Sequence, residues 1–154
     1  VGLKEIRAGN QIFIDPNVRI YALHPPQSRS AEKNFNNSSV VLKILYGNAS
    51  ILAVGDAEIP AEQRMIKRYG KMLSSTVLKV GHHGSITSSS EEFLNIVHPQ
   101  KALISVGNHN KFRNPSSFTV RRLMAHAVEI ERTDKSGAII LENDGNRWVQ
   151  KVWR

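Results

Sequence analysis

The chain has 154 residues, no cysteine, 40% hydrophobic and 22% charged residues, and a net charge of +8. Its length suits one domain with a sizeable core, its composition is that of a globular chain, and no apolar run approaches the ~20 residues of a bilayer span. Without thiols, any metal would have to rest on His, Asp and Glu, and the excess of 21 Lys and Arg over 13 Asp and Glu suits a polyanionic partner such as nucleic acid.

The opening Val1-Gly2-Leu3-Lys4-Glu5-Ile6-Arg7 carries charges where a signal peptide needs an apolar stretch, and it reads as cut from something longer. Strand patterns follow over 11–14 and 18–23. The stretch 25–38 is polar and rich in Ser and Asn, which predicts a long loop, either disordered or lying over a functional face. Strands at 39–46 and 50–54 make an antiparallel hairpin turning at Gly47-Asn48. A helix over 60–69 has Pro in its first turn, Gly70 just past its end, and Ala61, Met65, Ile66 and Tyr69 near one face. Its Arg64, Lys67 and Arg68, with Lys71 beyond, read as a solvated face.

A strand over 76–80 leads into a Ser-rich run, 85–90, expected to be a flexible loop. Ser89 or Ser90 caps the next helix, which has Glu92 in its first turn and Phe93, Leu94 and Val97 facing inward before Pro99. Strand 101–106 and a polar, basic turn over 108–114 precede a third helix, from the Ser116-Ser117 caps through Val120, Leu123 and Met124 to about residue 127. The chain closes with strands over 128–132, 137–141 and 147–153. The fold class is α/β, mixed with antiparallel strands, and the strands flanking helices read as βαβ units that bury both faces of a sheet. Neither a repeat nor a linker divides residues 1–154.

Two strand ends carry the chemistry. Val77-Leu78-Lys79-Val80 runs into Gly81-His82-His83-Gly84, presenting imidazoles between glycines that permit close backbone approach. Adjacent residues of an extended strand point to opposite sides, so His82 reads as a ligand and His83 as a partner supporting it, unless a turn at Gly84 brings both to one centre. Ile51-Leu52-Ala53-Val54-Gly55-Asp56 delivers a carboxylate in the same way, with Glu58 just beyond. Taken alone, Asp56 reads first as a turn residue capping the next helix. His24, before Pro25-Pro26, is a third candidate ligand, although a single histidine there reads first as a packed or solvent-facing residue, as do His98, His109 and His126.

Together with Asn37-Ser38-Ser39-Val40-Val41-Leu42, Ala102-Leu103-Ile104-Ser105-Val106-Gly107 and Arg132-Thr133-Asp134-Lys135-Ser136-Gly137-Ala138-Ile139, these segments resemble the metallo-β-lactamase superfamily. More narrowly, the chain resembles the metallo-hydrolase domain of ComEC-type DNA-uptake proteins. The resemblance implies a four-layer αββα sandwich, a two-metal site using zinc or manganese, and hydrolysis by metal-activated water. It assigns Asp56 as the carboxylate bridging the ions, His82 as a histidine ligand, His24 loosely as another, and His83 as a contact to them or to substrate. It further implies phosphodiester chemistry on DNA, in a segment of a bacterial membrane-associated protein. Lys111, Arg113 and Asn114, with the basic helix, would then meet the nucleic acid.

The chain departs from the family pattern at two points. The HxHxDH motif is absent, so residues 1–154 match the second half of the domain, with the first half as a missing partner. A zinc shell of four ligands cannot be completed from these residues, which predicts weak or absent metal in them alone. Where the family pattern reads Asn-x-x-Gly-His-Pro, this chain has Asn110-Lys111-Phe112-Arg113-Asn114-Pro115, with Asn114 in place of the histidine. The competing reading is therefore a non-catalytic, basic nucleic-acid-binding or scaffold domain with a degenerate metal site; a small-molecule phosphodiesterase would use the same site with a different loop.

Overall fold

The computed structural model describes residues 5–27 and 33–151. The charged opening over 1–4, the middle of the expected long loop and the last residues of the expected final strand lie outside the described residues.

Seven strands form one sheet in simple chain order, β1 (Gln11–Asp15), β2 (Val18–His24), β3 (Val41–Tyr46), β4 (Ala49–Ala53), β5 (Val77–Lys79), β6 (Lys101–Ile104) and β7 (Glu129–Arg132). Strands β1 to β4 are antiparallel neighbours, and the expected hairpin closes at Tyr46 opposite Ala49. From β4 onward pairing is parallel, with α1 (Ile59–Tyr69), α2 (Glu91–Val97) and α3 (Ser117–Ala125) in the crossovers. The predicted caps form: Ser90 Oγ accepts from Phe93 N–H at 3.3 Å, and Ser116 Oγ from Phe118 N–H at 3.2 Å.

Alternation along the strands decides what is buried. Leu52 and Val54, Leu78 and Val80, and Ala102 and Ile104 are fully buried and share one core with Ala61 and Met65 of α1, Phe93, Leu94 and Val97 of α2, and Leu123 of α3. All three crossovers step in the same direction across the sheet, and a consistent right-handed connection places their helices on one face. The expectation that both faces would be buried is therefore corrected. On the other face, the cross-strand rows Leu42–Ala53–Lys79–Leu103 and Ile44–Ile51–Val77–Lys101 are mostly half-buried.

A separate hairpin, β8 (Ile140–Asn143) and β9 (Trp148–Lys151), forms a two-stranded sheet rather than extending the main one. Trp148 Nε1 donates to Thr76 Oγ1 at 2.9 Å, and Asn48 N–H to the Gly145 carbonyl at 2.6 Å. Both ties lie at the entry to β5 and at the β3–β4 turn, away from the edge where β5 ends in histidines. Among the described residues no helix is long and apolar enough to cross a membrane.

Candidate functional site

Strands β2, β4, β5 and β6 all run in one direction and end along one edge, where open α/β sheets place their ligands. His24 closes β2, Asp56 follows β4, and His82 and His83 follow β5. The backbone N–H of His82 donates to the Gly55 carbonyl at 3.1 Å, so the two strand ends that carry Asp56 and His82 are joined directly.

The histidine turn differs from the expected extended path. The backbone turns at the imidazole-bearing residues themselves, His82 (φ 44°, ψ 47°) and His83 (φ 54°, ψ 25°), both in the left-handed region that side chains disfavour. Consecutive left-handed residues release the pair from strand alternation, so the rings stand edge to face with centroids 6.3 Å apart. Close packing on each side over-determines the turn. A Cβ on Gly81 would lie 2.8 Å from the Ala57 carbonyl oxygen, and one on Gly84 2.6 Å from Pro115 Cβ.

The Ser-rich run that follows is no flexible loop. Ser88 and Ser89 are fully buried. Ser88 Oγ donates to the Gly81 carbonyl at 2.7 Å, and Arg122 Nη1 donates to the Ser89 carbonyl at 2.8 Å. Glu62 of α1, also fully buried, accepts from the Ser89 and Ser90 N–H groups. Burial pushes the Glu62 carboxyl up, against the pull of those N–H groups and of Arg122. Short hydroxyl side chains here replace the backbone partners that a buried loop lacks.

Each candidate histidine has Nδ1 engaged by an oxygen: His24 by the Ser39 carbonyl at 3.0 Å, His82 by Glu58 Oε1 at 2.9 Å and His83 by the Ser105 carbonyl at 2.7 Å. Such contacts fix the ring orientation and, for a neutral imidazole, put the lone pair on Nε2. His83 Nε2 lies 3.6 Å from Asp56 Oδ1, so His83 rather than His82 stands against the carboxylate. Asp56 does not cap α1: Glu58 occupies that position. Asp56 N–H donates to Ser39 Oγ at 3.1 Å, and Ser39 also holds His24 through its carbonyl, so His24 joins the edge through one intervening residue. Lys79 is held near Asp56, its pKa lowered by burial against the opposing carboxylate charge.

Glu58, in the sequence only a neighbour of Asp56, proves to be a hub. Its Oε1 accepts from Thr87 Oγ1 at 3.0 Å and Asn36 Nδ2 at 3.2 Å as well as His82, and its Oε2 from Asn34 Nδ2 at 2.7 Å. Burial works to raise its pKa, but the bonds from Asn36, Thr87 and His82 outweigh it and hold the carboxyl below the usual range. Thus part of the expected long loop, with a 3-10 turn at Phe35–Ser38, does lie over the site. No local signal marks Glu58: an acid at a helix start reads as dipole complementation.

The expected substrate contacts divide. Lys111 and Arg113 are exposed on the loop after β6, Lys111 Nζ lying 5.0 Å from the Phe112 ring centroid. Asn114 instead turns inward, its Nδ2 donating to the His82 carbonyl at 3.4 Å, so it braces the turn. Of the remaining histidines, His98 ends α2 in the left-handed conformation, His126 pairs with Glu91 at 2.8 Å, and His109 is exposed on the loop after β6, apart from the histidine turn. On the basic helix, Arg64 Nη2 donates to the Asn37 carbonyl at 3.1 Å and Arg68 lies 5.4 Å from the Tyr69 ring centroid. That face is therefore only partly solvated.

Two divalent ions need more donors than this edge supplies. Among the described residues no cluster of three or more His, Asp or Glu could hold a metal ion. The Asp56–His83 pair offers two donors where a closed zinc shell takes four, so the residues present do not by themselves fit the implied metal centre.

No family model matches the chain. Competence protein ComA of Neisseria gonorrhoeae is 39% identical over 117 residues, which are 76% of this chain and 17% of that protein. ComE operon protein 3 of Bacillus subtilis is 34% identical over 139 residues, 90% of this chain and again 17% of the relative. Recombination protein 2 of Haemophilus influenzae is 39% identical over 104 residues, 68% and 13% of the two chains. The chain spans no more than 17% of the length of these relatives and is similar to one segment of each.

Proposed function

From this similarity we propose that the chain is a segment of a DNA-uptake protein, and that its histidine edge is one half of a metal-dependent phosphodiesterase site. The observation that carries the reading is the convergence of Asp56, His82 and His83 at one sheet edge in a chain similar to competence proteins. A net charge of +8, with Lys111 and Arg113 exposed beside that edge, suits a DNA backbone. The half-buried Leu42, Ile44, Ile51 and Leu103, on the sheet face that also carries Lys79 and Lys101, support the sandwich reading, since a second sheet supplied by polypeptide outside these residues would cover them. The same outside polypeptide would bring the missing donors.

The test is DNA hydrolysis by the full-length parent protein in Zn²⁺ or Mn²⁺. Cleavage that falls at least about 100-fold in the Asp56→Asn variant, with DNA affinity retained, supports the hydrolase. Equal cleavage by the two proteins refutes the role of Asp56. A second reading, a nucleic-acid-binding scaffold without chemistry, draws on the inward-turned Asn114 and the donor shortfall. Salt-dependent DNA binding by the parent with no hydrolysis in either metal would select it.

A further inference from the structure

Glu58 starts α1 but leaves its own helix uncapped. Its side chain turns instead toward the histidine turn, where four donors from three separate segments surround one carboxylate: Asn34 and Asn36, His82, and Thr87. The carboxylate is only 13% exposed, against 28% for His82, so the pair is largely withdrawn from water. A half-buried carboxylate is a costly way to finish a helix start, and it is retained where it meets a specific donor. An isolated neutral imidazole favours its proton on Nε2, whereas an ionised carboxylate accepts and cannot donate. Contact with Glu58 Oε1 therefore requires the proton on Nδ1.

We propose that Glu58 is a positioning residue for His82, holding the imidazole in the Nδ1–H tautomer so that its basic lone pair sits on Nε2, available to the edge where Asp56 and His83 meet. The proposal deepens the hydrolase reading and depends on it only for its consequence in turnover. His83 is held by the Ser105 backbone carbonyl, which substitution cannot remove, so His82 is where the device can be taken apart. Glu58 also ties His82 to the segment carrying Asn34 and Asn36, so the ring's orientation depends on that segment being in place.

The experiment reads imidazole ¹⁵N resonances of the 154-residue chain at about pH 8, where an ordinary histidine is neutral. Wild type, Glu58→Gln and Glu58→Ala are compared, with amide spectra reporting the fold. His82 is expected as Nδ1–H in wild type. It keeps that form in Glu58→Gln, whose amide oxygen still accepts, and shifts toward Nε2–H in Glu58→Ala. A wild-type His82 already in the Nε2–H form overturns the proposal, and so does a folded Glu58→Ala chain with an unchanged tautomer. If Glu58→Ala does not fold, the wild-type and Glu58→Gln tautomers decide. In the full-length parent, Glu58→Ala should lower DNA hydrolysis about 10–100-fold with Glu58→Gln rescuing much of it. A tautomer shift without hydrolysis by any variant would leave Glu58 positioning His82 and remove the hydrolase reading alone.

Discussion

Gly84→Ala perturbs the histidine turn from the side where it is packed hardest. At φ +80° an added Cβ would lie 2.6 Å from Pro115 Cβ and 3.2 Å from Pro115 Cα. The disfavoured backbone region costs about 1–3 kcal/mol and the overpacking a further ~1–3 kcal/mol, together roughly 2–6 kcal/mol. Two other glycines separate the terms. Gly70, at φ +48° with nothing within 4 Å of its added Cβ, should show the backbone cost alone, about 1–3 kcal/mol. Gly107, with neither a positive φ nor a neighbour within 4 Å, should be neutral or gain up to about 1 kcal/mol through the unfolded chain. Urea and thermal unfolding measure the series, and at about 2–4 °C per kcal/mol Gly84→Ala should melt roughly 4–24 °C lower. Equal stabilities for the Gly84 and Gly107 variants would refute the argument that packing against Pro115 holds the turn.

Val80→Asp puts a carboxylate into a fully buried position just past β5, beneath the helices, and circular dichroism should show the domain largely unfolded at neutral pH. Glu62→Ala strands the buried Ser89 N–H group, at a cost of about 1–3 kcal/mol, and takes the partner from the half-buried Ser90 N–H, and hydrogen exchange over 85–92 should accelerate ahead of global unfolding. Glu58 titrates in the folded state below its ordinary value of 4.5, so its stabilising contribution is fully present above pH 4.5 and lost as pH falls through the lowered value. Acid unfolding of Glu58→Gln should accordingly show a shallower limb below pH 4.5 than wild type. Glu62, raised by burial, contributes with the opposite sign as pH rises above 4.5, which keeps the two windows apart.

What the sequence determined by itself is local. Helix starts at Ser90 and Ser116, the stop at Gly70 and the hairpin at Gly47-Asn48 are written in residues a few positions apart, and the structure places them there. The delivery of Asp56 and of the histidine pair to strand ends was legible for the same reason, because an apolar run followed by glycine marks where a buried strand surfaces. Only the tertiary structure decided which groups meet. Glu58 and His82 are 24 residues apart, and His83 and Ser105 22 apart. Nothing local predicts that Asp56 stands beside His83, or that serines expected in a mobile loop are buried under Glu62 and Arg122. The left-handed path through His82 and His83 belongs with these: its strain is unfavourable locally and persists because Ala57, Ser88 and Pro115 close around the glycines that flank it.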